Sequence, residues 1–307
     1  MAPKGKPTTK AKKPAAKNKN LPKERIITAG GVNAKVSDVG NIAAGGRRHR
    51  YAVHFPIHTE TAEKLLSREQ QQKYTDTYKL VSEYSLAGLE FGNWTTHEER
   101  ANFLISTRES LKDLHKVLGF KNLGLDHRVS IAFGARGLGG KAMAHFEANS
   151  FAINLTRTKG YGSFAHEYGH ALDYFFGSFV DQQPYSAWLS GGQSEAQNLN
   201  QTGQMRKVCD QIINRFYRDE KGNETTTITR MRPKVKGEYW YRRNEIFARL
   251  FEQYIHFELS RLNLKNQYLT DRKYAESVAY ATEKDFKAIA PLYKKLLVLM
   301  RKHINGK

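Results

Sequence analysis

The chain holds a single cysteine, Cys209. One thiol cannot form an internal disulfide, and it excludes a zinc site built from cysteines. The chain therefore reads as made for a reducing compartment. No apolar run approaches the ~20 residues of a membrane-spanning helix. The lysines at the N-terminus precede no apolar stretch, so the start is not a secretory signal. Acid is the scarcer charge: 30 Asp and Glu stand against 50 Lys and Arg, a formal +20 with a pI near 9.8. Such an excess favours contact with polyanions such as nucleic acid. Hydrophobic residues make up 39% of the 307. That is enough for a core in one large domain or two small ones.

What is present centres on one stretch, SFAHEYGHALD at 163–173. On a helix, side chains at i and i+4 lie on one face a turn apart. His166 and His170 can then hold one metal ion between their imidazoles, with zinc the default because imidazole suits it. Glu167, beside the first ligand, can take a proton from the attacking water and pass it to a leaving amine. With 11 His and 20 Glu in the chain, chance places this spacing about 0.03 times. The uncharged, proline-free flanks (Phe164, Ala165, Tyr168, Ala171, Leu172) suit a helix that packs on one face. Gly169 costs that helix roughly 1 kcal/mol against Ala, which close packing against a neighbour would explain. The bland alternative is a core helix with two satisfied histidines.

Residues 1–25 form a low-complexity tail with eight Lys, one Arg and one Glu. Such a segment cannot build a core, so disorder is expected. Lys10, Lys12, Lys13, Lys17 and Lys19 are its candidates for phosphate contacts, against a merely solubilising role. The tail accounts for +8 of the +20, so the body is basic too. Residues 26–59 are mixed and end on a strand-like run, 51–55. Residues from about 61 to 84 are helix-prone. The run 89–94 reads as a turn holding two aromatics. Thr96 then opens a helix that carries Leu104, Leu111, Leu114 and Leu118 to Gly119. Runs at 129–133, 142–147 and 151–155 read as strands, the last two as a hairpin. Either of those two is the candidate edge strand. The loop 134–141 invites a phosphate-loop reading, but its glycine spacing is wrong and Ala142 stands where a Ser or Thr is needed. A polar segment to about Gly203 and a helix through Val208, Ile212, Ile213 and Phe216 follow.

A catalytic zinc usually takes three protein ligands. Candidates for the third are Asp173, His145, Glu245, Glu252 and His256. Asp173, one turn past His170, suits a hydrogen bond to a ligand or neighbour better than the metal itself. Glu245 opens a helix with apolar residues at 246, 247, 250, 251, 254 and 255 on one face. Glu245, Arg249, Glu252 and His256 share the other face. The bland reading there is a solvent stripe with a Glu245–Arg249 pair. Spacing favours Glu245, then Glu252.

Several segments together resemble a known family. They are GLEFGNW at 88–94, AFGARG at 132–137, GKAMAHFE at 140–147, INLTRTKG at 153–160, the run 165–173, EIFARLFE at 245–252 and NQYL at 266–269. In this order, over about residues 85–295, the chain is similar to the zincin-like metallopeptidase domain of phage and conjugative-element polyvalent proteins, a large polyvalent protein-associated domain. The resemblance implies an α+β zincin-like fold: a small mixed sheet with an edge strand, the active-site helix, and further helices supplying the third ligand. It favours Glu245 as that ligand, beside His166 and His170, on one zinc ion. It implies a hydrolase acting on a protein or peptide substrate, entering a bacterial cytoplasm with DNA, in some cases in a virion. Family members sit inside very long chains, whereas here one domain, 26–307, stands behind a basic tail. Asp173, Arg249, Tyr241 and His145 are candidates for holding the ligands or the oxyanion, as is Tyr239. The rival reading keeps the fold without catalysis, as a nucleic-acid-associated virion or conjugation protein.

Overall fold

A computed structural model describes residues 25–29, 32–36 and 76–306, apart from 93–94, 96, 137–142, 157–159, 184–185, 193–202 and 271–276; side chains are described from 76 onward, except at 97 and 98. The expected disorder of the tail lies outside these residues, except that Arg25 opens a strand. The strand-like run 51–55 also lies outside.

Strands β1 (Arg25–Ala29) and β2 (Val32–Val36) pair antiparallel. Helix α1 (Thr77–Glu83) is capped by Asp76, which accepts from the Lys79 amide at 2.9 Å. The first correction follows. Gly88–Phe91 is a strand, β3, where the sequence reads as a turn. Flanking glycines imitate a turn, but Leu89 and Phe91 are buried and Glu90 points the other way, the alternation of a strand. Helix α2 (His97–Leu118) ends at Gly119, whose φ of +64° suits a residue without Cβ.

Strands β4 (Ser130–Phe133), β5 (Ala144–Glu147) and β6 (Ala152–Leu155) complete a four-stranded sheet in the order β3-β4-β6-β5. β3, β4 and β6 run parallel, and β5 pairs antiparallel with β6. Of the two candidate edge strands, 151–155 is interior and β5 is the edge. One face of the sheet is apolar (Leu89, Phe91, Ile131, Phe133, Ile153, Leu155). Phe103 from α2 stacks on Phe133 there with ring centroids 4.6 Å apart. The other face carries Glu90, His145 and Asn154 in register with one another across Ala132.

Helix α3 (Phe164–Phe175) follows the sheet and runs into a π-helical turn, Phe176–Asp181. Helices α4 (Gln204–Tyr217) and α5 (Thr226–Lys234), a 3-10 turn (Glu238–Tyr241), α6 (Arg243–Arg261) and α7 (Glu283–Asn305) complete the chain. The described residues thus form a mixed α+β fold with seven α-helices around one four-stranded mixed sheet. Cys209 lies buried in α4. No helix among the described residues is long and apolar enough to cross a membrane.

Gly169 marks where α3 and α6 cross. A Cβ there would stand 3.1 Å from the Ala248 Cα and 3.1 Å from a Phe251 ring carbon. The backbone of α6 cannot yield as a flexible side chain could, so the helices approach closely only with glycine at this point. Gly169→Val should lower stability by ~3 kcal/mol, roughly 5–10 °C in melting temperature. Thermal unfolding checks it. A variant melting within ~1 °C of wild type would sink the packing argument.

Candidate metal centre

Helix α3 sets two imidazoles on one face by the 3.6-residue repeat. The His166 and His170 rings lie 4.9 Å apart at 84°. The first turn of α6 crosses beneath them because Gly169 lets it approach. Glu245 in that turn reaches both rings: Oε2 stands 3.5 Å from His166 Nε2 and Oε1 3.5 Å from His170 Nε2. One ligand atom from each of the three residues lies within 4.8 Å of the other two.

The chemistry of this donor set fits a divalent ion. Two imidazole nitrogens and one carboxylate converge, as in zinc sites that leave a position open. Glu245 Oε2 is buried and accepts no hydrogen bond, which a protein seldom tolerates without a purpose. Burial opposes the charge of Glu245, but the two histidines outweigh it and hold its carboxyl far below the usual range. Burial likewise opposes protonation of His166, yet Glu245 and Glu252 pull its pKa up to about 10. Without a metal, then, a proton on His166 occupies the electrostatic place of a cation.

Glu167 is buried and near enough to feel the charges of His166, His170 and Glu245. Burial raises its pKa, against the pull of His166 and His170. Trp188 packs its ring on His170, with centroids 6.0 Å apart. It belongs to the polar segment that runs to about Gly203.

The other candidates fall on different sides of this cluster. Asp173 is fully buried and turned to a neighbour: it accepts from the Ser190 amide at 2.7 Å and the Ser190 hydroxyl at 2.6 Å. Burial lifts its pKa to about 6 despite those bonds. His145 contacts Glu147 at 3.0 Å and Asn154 at 3.4 Å on the polar face of the sheet. There Arg136 also binds Glu147 and Glu90. His256 contacts Thr270 at 3.2 Å, away from the cluster. The Tyr241 hydroxyl is directed to the Val235 carbonyl, 3.4 Å away. Its neighbour Tyr239 instead meets Glu245, and burial followed by that carboxylate raises its pKa. Tyr239 keeps 46% exposure, so the residue borders both Glu245 and solvent. A 3-10 turn, with three residues per turn, decides which of the two tyrosines faces Glu245. Arg249 is buried and donates to the Trp240 carbonyl. Burial lowers its pKa, and Glu245 is the strongest opposing influence. The solvent-stripe reading of this helix face fails, since Glu245, Arg249 and Glu252 are all buried. Lys10, Lys12, Lys13, Lys17 and Lys19 lie outside the described residues.

Residues 231–304 match the family model of large polyvalent protein-associated domain 1. The match supports the polyvalent-protein resemblance for this part of the chain. It takes in Tyr239, Glu245, the rest of α6 and nearly all of α7, and it begins after His166 and His170. Residues 269–304 fall inside it as well. No curated protein and no solved structure matches the chain.

Proposed function

We propose that this chain is a zinc-dependent metallopeptidase of the zincin type, acting on protein or peptide substrates. The observation that carries the reading is Glu245 meeting both Nε2 atoms at 3.5 Å with a buried oxygen left unbonded, and Glu167 alongside. His166, His170 and Glu245 would hold one zinc ion, which when bound supplies Lewis acidity to the attacking water and the scissile carbonyl. Glu167 takes the water proton and returns it to the leaving amine. Its burial-raised pKa brings it nearer to neutrality, where a general base works best. Tyr239, half-exposed and in reach of Glu245, would donate to the developing oxyanion. Strand β5, at the end of the sheet among the described residues, would offer backbone donors and acceptors to an extended peptide. The parallel strands, the antiparallel edge and the helix after them support the zincin reading of the fold.

The test is to load the protein with zinc, assay a peptide library, strip the metal with a chelator and restore it. We expect about one zinc per chain, hydrolysis lost on stripping and regained on restoration. Hydrolysis indifferent to the chelator would refute the reading.

A second reading rests on the +20 charge. The tail lysines would lie on DNA phosphates, and delivery with DNA into a bacterial cytoplasm, in some cases within a virion, would give them a purpose. Duplex binding that weakens with salt and is lost on deleting residues 1–25 would support it. Binding unchanged by that deletion would overturn the role of the tail. The peptidase and DNA readings can hold together. Zinc binding without hydrolysis would leave a catalytically silent member of the fold.

A further inference from the structure

Glu252, weighed from spacing as a third ligand, has a different place. It stands two turns past Glu245 on the same face of α6 and keeps only 2% exposure. Its Oε2 lies 3.6 Å from Nδ1 of His166, close to hydrogen-bond distance. Glu245 addresses the opposite nitrogen, Nε2. The two ring nitrogens point in divergent directions, so a carboxylate at Nδ1 does not share an ion held at Nε2. The same Oε2 accepts a hydrogen bond from the Tyr280 hydroxyl at 2.5 Å, while Oε1 is buried without a partner. Burying a carboxylate half-satisfied costs folding free energy. Among the described residues the ion pair that it makes is with His166. Tyr280 is fixed beside it because Gln253, the next residue of α6, grips Ala281 by two hydrogen bonds of 3.0 Å.

We infer that Glu252 and Tyr280 are a positioning pair for His166; the inference rests on the metal reading above. Glu252 accepts the Nδ1 proton. That fixes the tautomer, so the lone pair of Nε2 faces Glu245 and His170. Tyr280 donates to the oxygen nearest the ring and holds the carboxylate in that rotamer. A turn just before α7 thereby sets the aim of a ligand on α3.

The experiment measures zinc affinity of the full chain by chelator competition in wild type, Glu252→Gln, Tyr280→Phe and the double variant. The visible absorption of the cobalt-loaded forms is the second readout. Glu252→Gln should weaken zinc about 10- to 100-fold and change the cobalt spectrum. Tyr280→Phe should weaken it about 3- to 10-fold. The double variant should be no weaker than Glu252→Gln, because Tyr280 acts through Glu252. Each variant should still take up one zinc per chain. Glu252→Gln within threefold of wild type would overturn the pair, as would additive losses in the double variant. Zinc lost from Glu252→Gln but kept by Glu245→Gln would make Glu252 a ligand and also overturn it. Should Glu252→Gln fail to fold, a folded Tyr280→Phe with wild-type affinity and an unchanged cobalt spectrum overturns the inference alone. A wild type that binds no zinc sinks the metal reading itself, a result distinct from indifferent variants of a zinc-binding wild type.

Discussion

Glu167→Gln is expected to lower kcat about 100- to 10,000-fold while leaving one zinc per chain. The amide keeps the size of the carboxylate, so the helix and the two imidazoles stay as they are. What it loses is the capacity to accept a proton from water. Glu167 is buried beside His166 and His170, and a group so placed is not replaced by bulk water. Tyr239→Phe gives the useful contrast. It removes one donor, so kcat should fall about 100- to 1,000-fold, with the pH profile of the Glu167 limb kept. Steady-state kinetics on the best library peptide, with zinc measured in the same preparations, decides between them. Full activity in Glu167→Gln would remove it from the mechanism.

Glu245→Ala should weaken zinc by about a thousandfold or more, since on the proposed reading it deletes one of three protein ligands. Its pH dependence carries further information. In the metal-free site, burial works against the His166 proton but Glu245 and Glu252 hold it on, with a pKa of about 10. A metal must displace that proton. Apparent zinc affinity of the wild type should therefore rise about tenfold per pH unit through neutrality and level off only near the raised pKa. Glu245→Ala removes the partner that raises this pKa most. Its affinity should be weaker everywhere and flatten at a lower pH. Calorimetry at several pH values, with proton release read from the buffer dependence, measures both effects. A wild-type affinity flat from pH 6.5 to 8.5 would show that His166 holds no such proton.

The local elements show which signals a sequence carries openly. The helix α3 was legible because a metal-ligand spacing and a packing face coincide in twelve residues. Gly169 was legible as a contact, since close packing is a reason to accept glycine's cost inside a helix. Strand β3 was not, because its partner β4 lies about forty residues away and its flanking glycines mimic a turn. Helix α7 carries its own signal: Phe286, Ile289, Tyr293, Leu296, Met300 and Ile304 recur at helical spacing, and all are buried.

Within the site, the sequence by itself determined the pair His166 and His170, because i,i+4 spacing on one helix needs no tertiary information. It also determined that a carboxylate on the later helix could serve, but it left Glu245 and Glu252 on one face with little to separate them. Only the tertiary structure decided their roles. Seven residues are two turns, about 10 Å along the helix, and the crossing at Gly169 places one carboxylate at Nε2 and the other at Nδ1 of the same ring. The same crossing, together with a 3-10 turn, brought Tyr239 to Glu245 and sent Tyr241 away. Tyr280 had no signal at all in sequence. Its role depends on a hydrogen bond between segments distant in the chain, and such bonds are set by packing, which spacing does not encode.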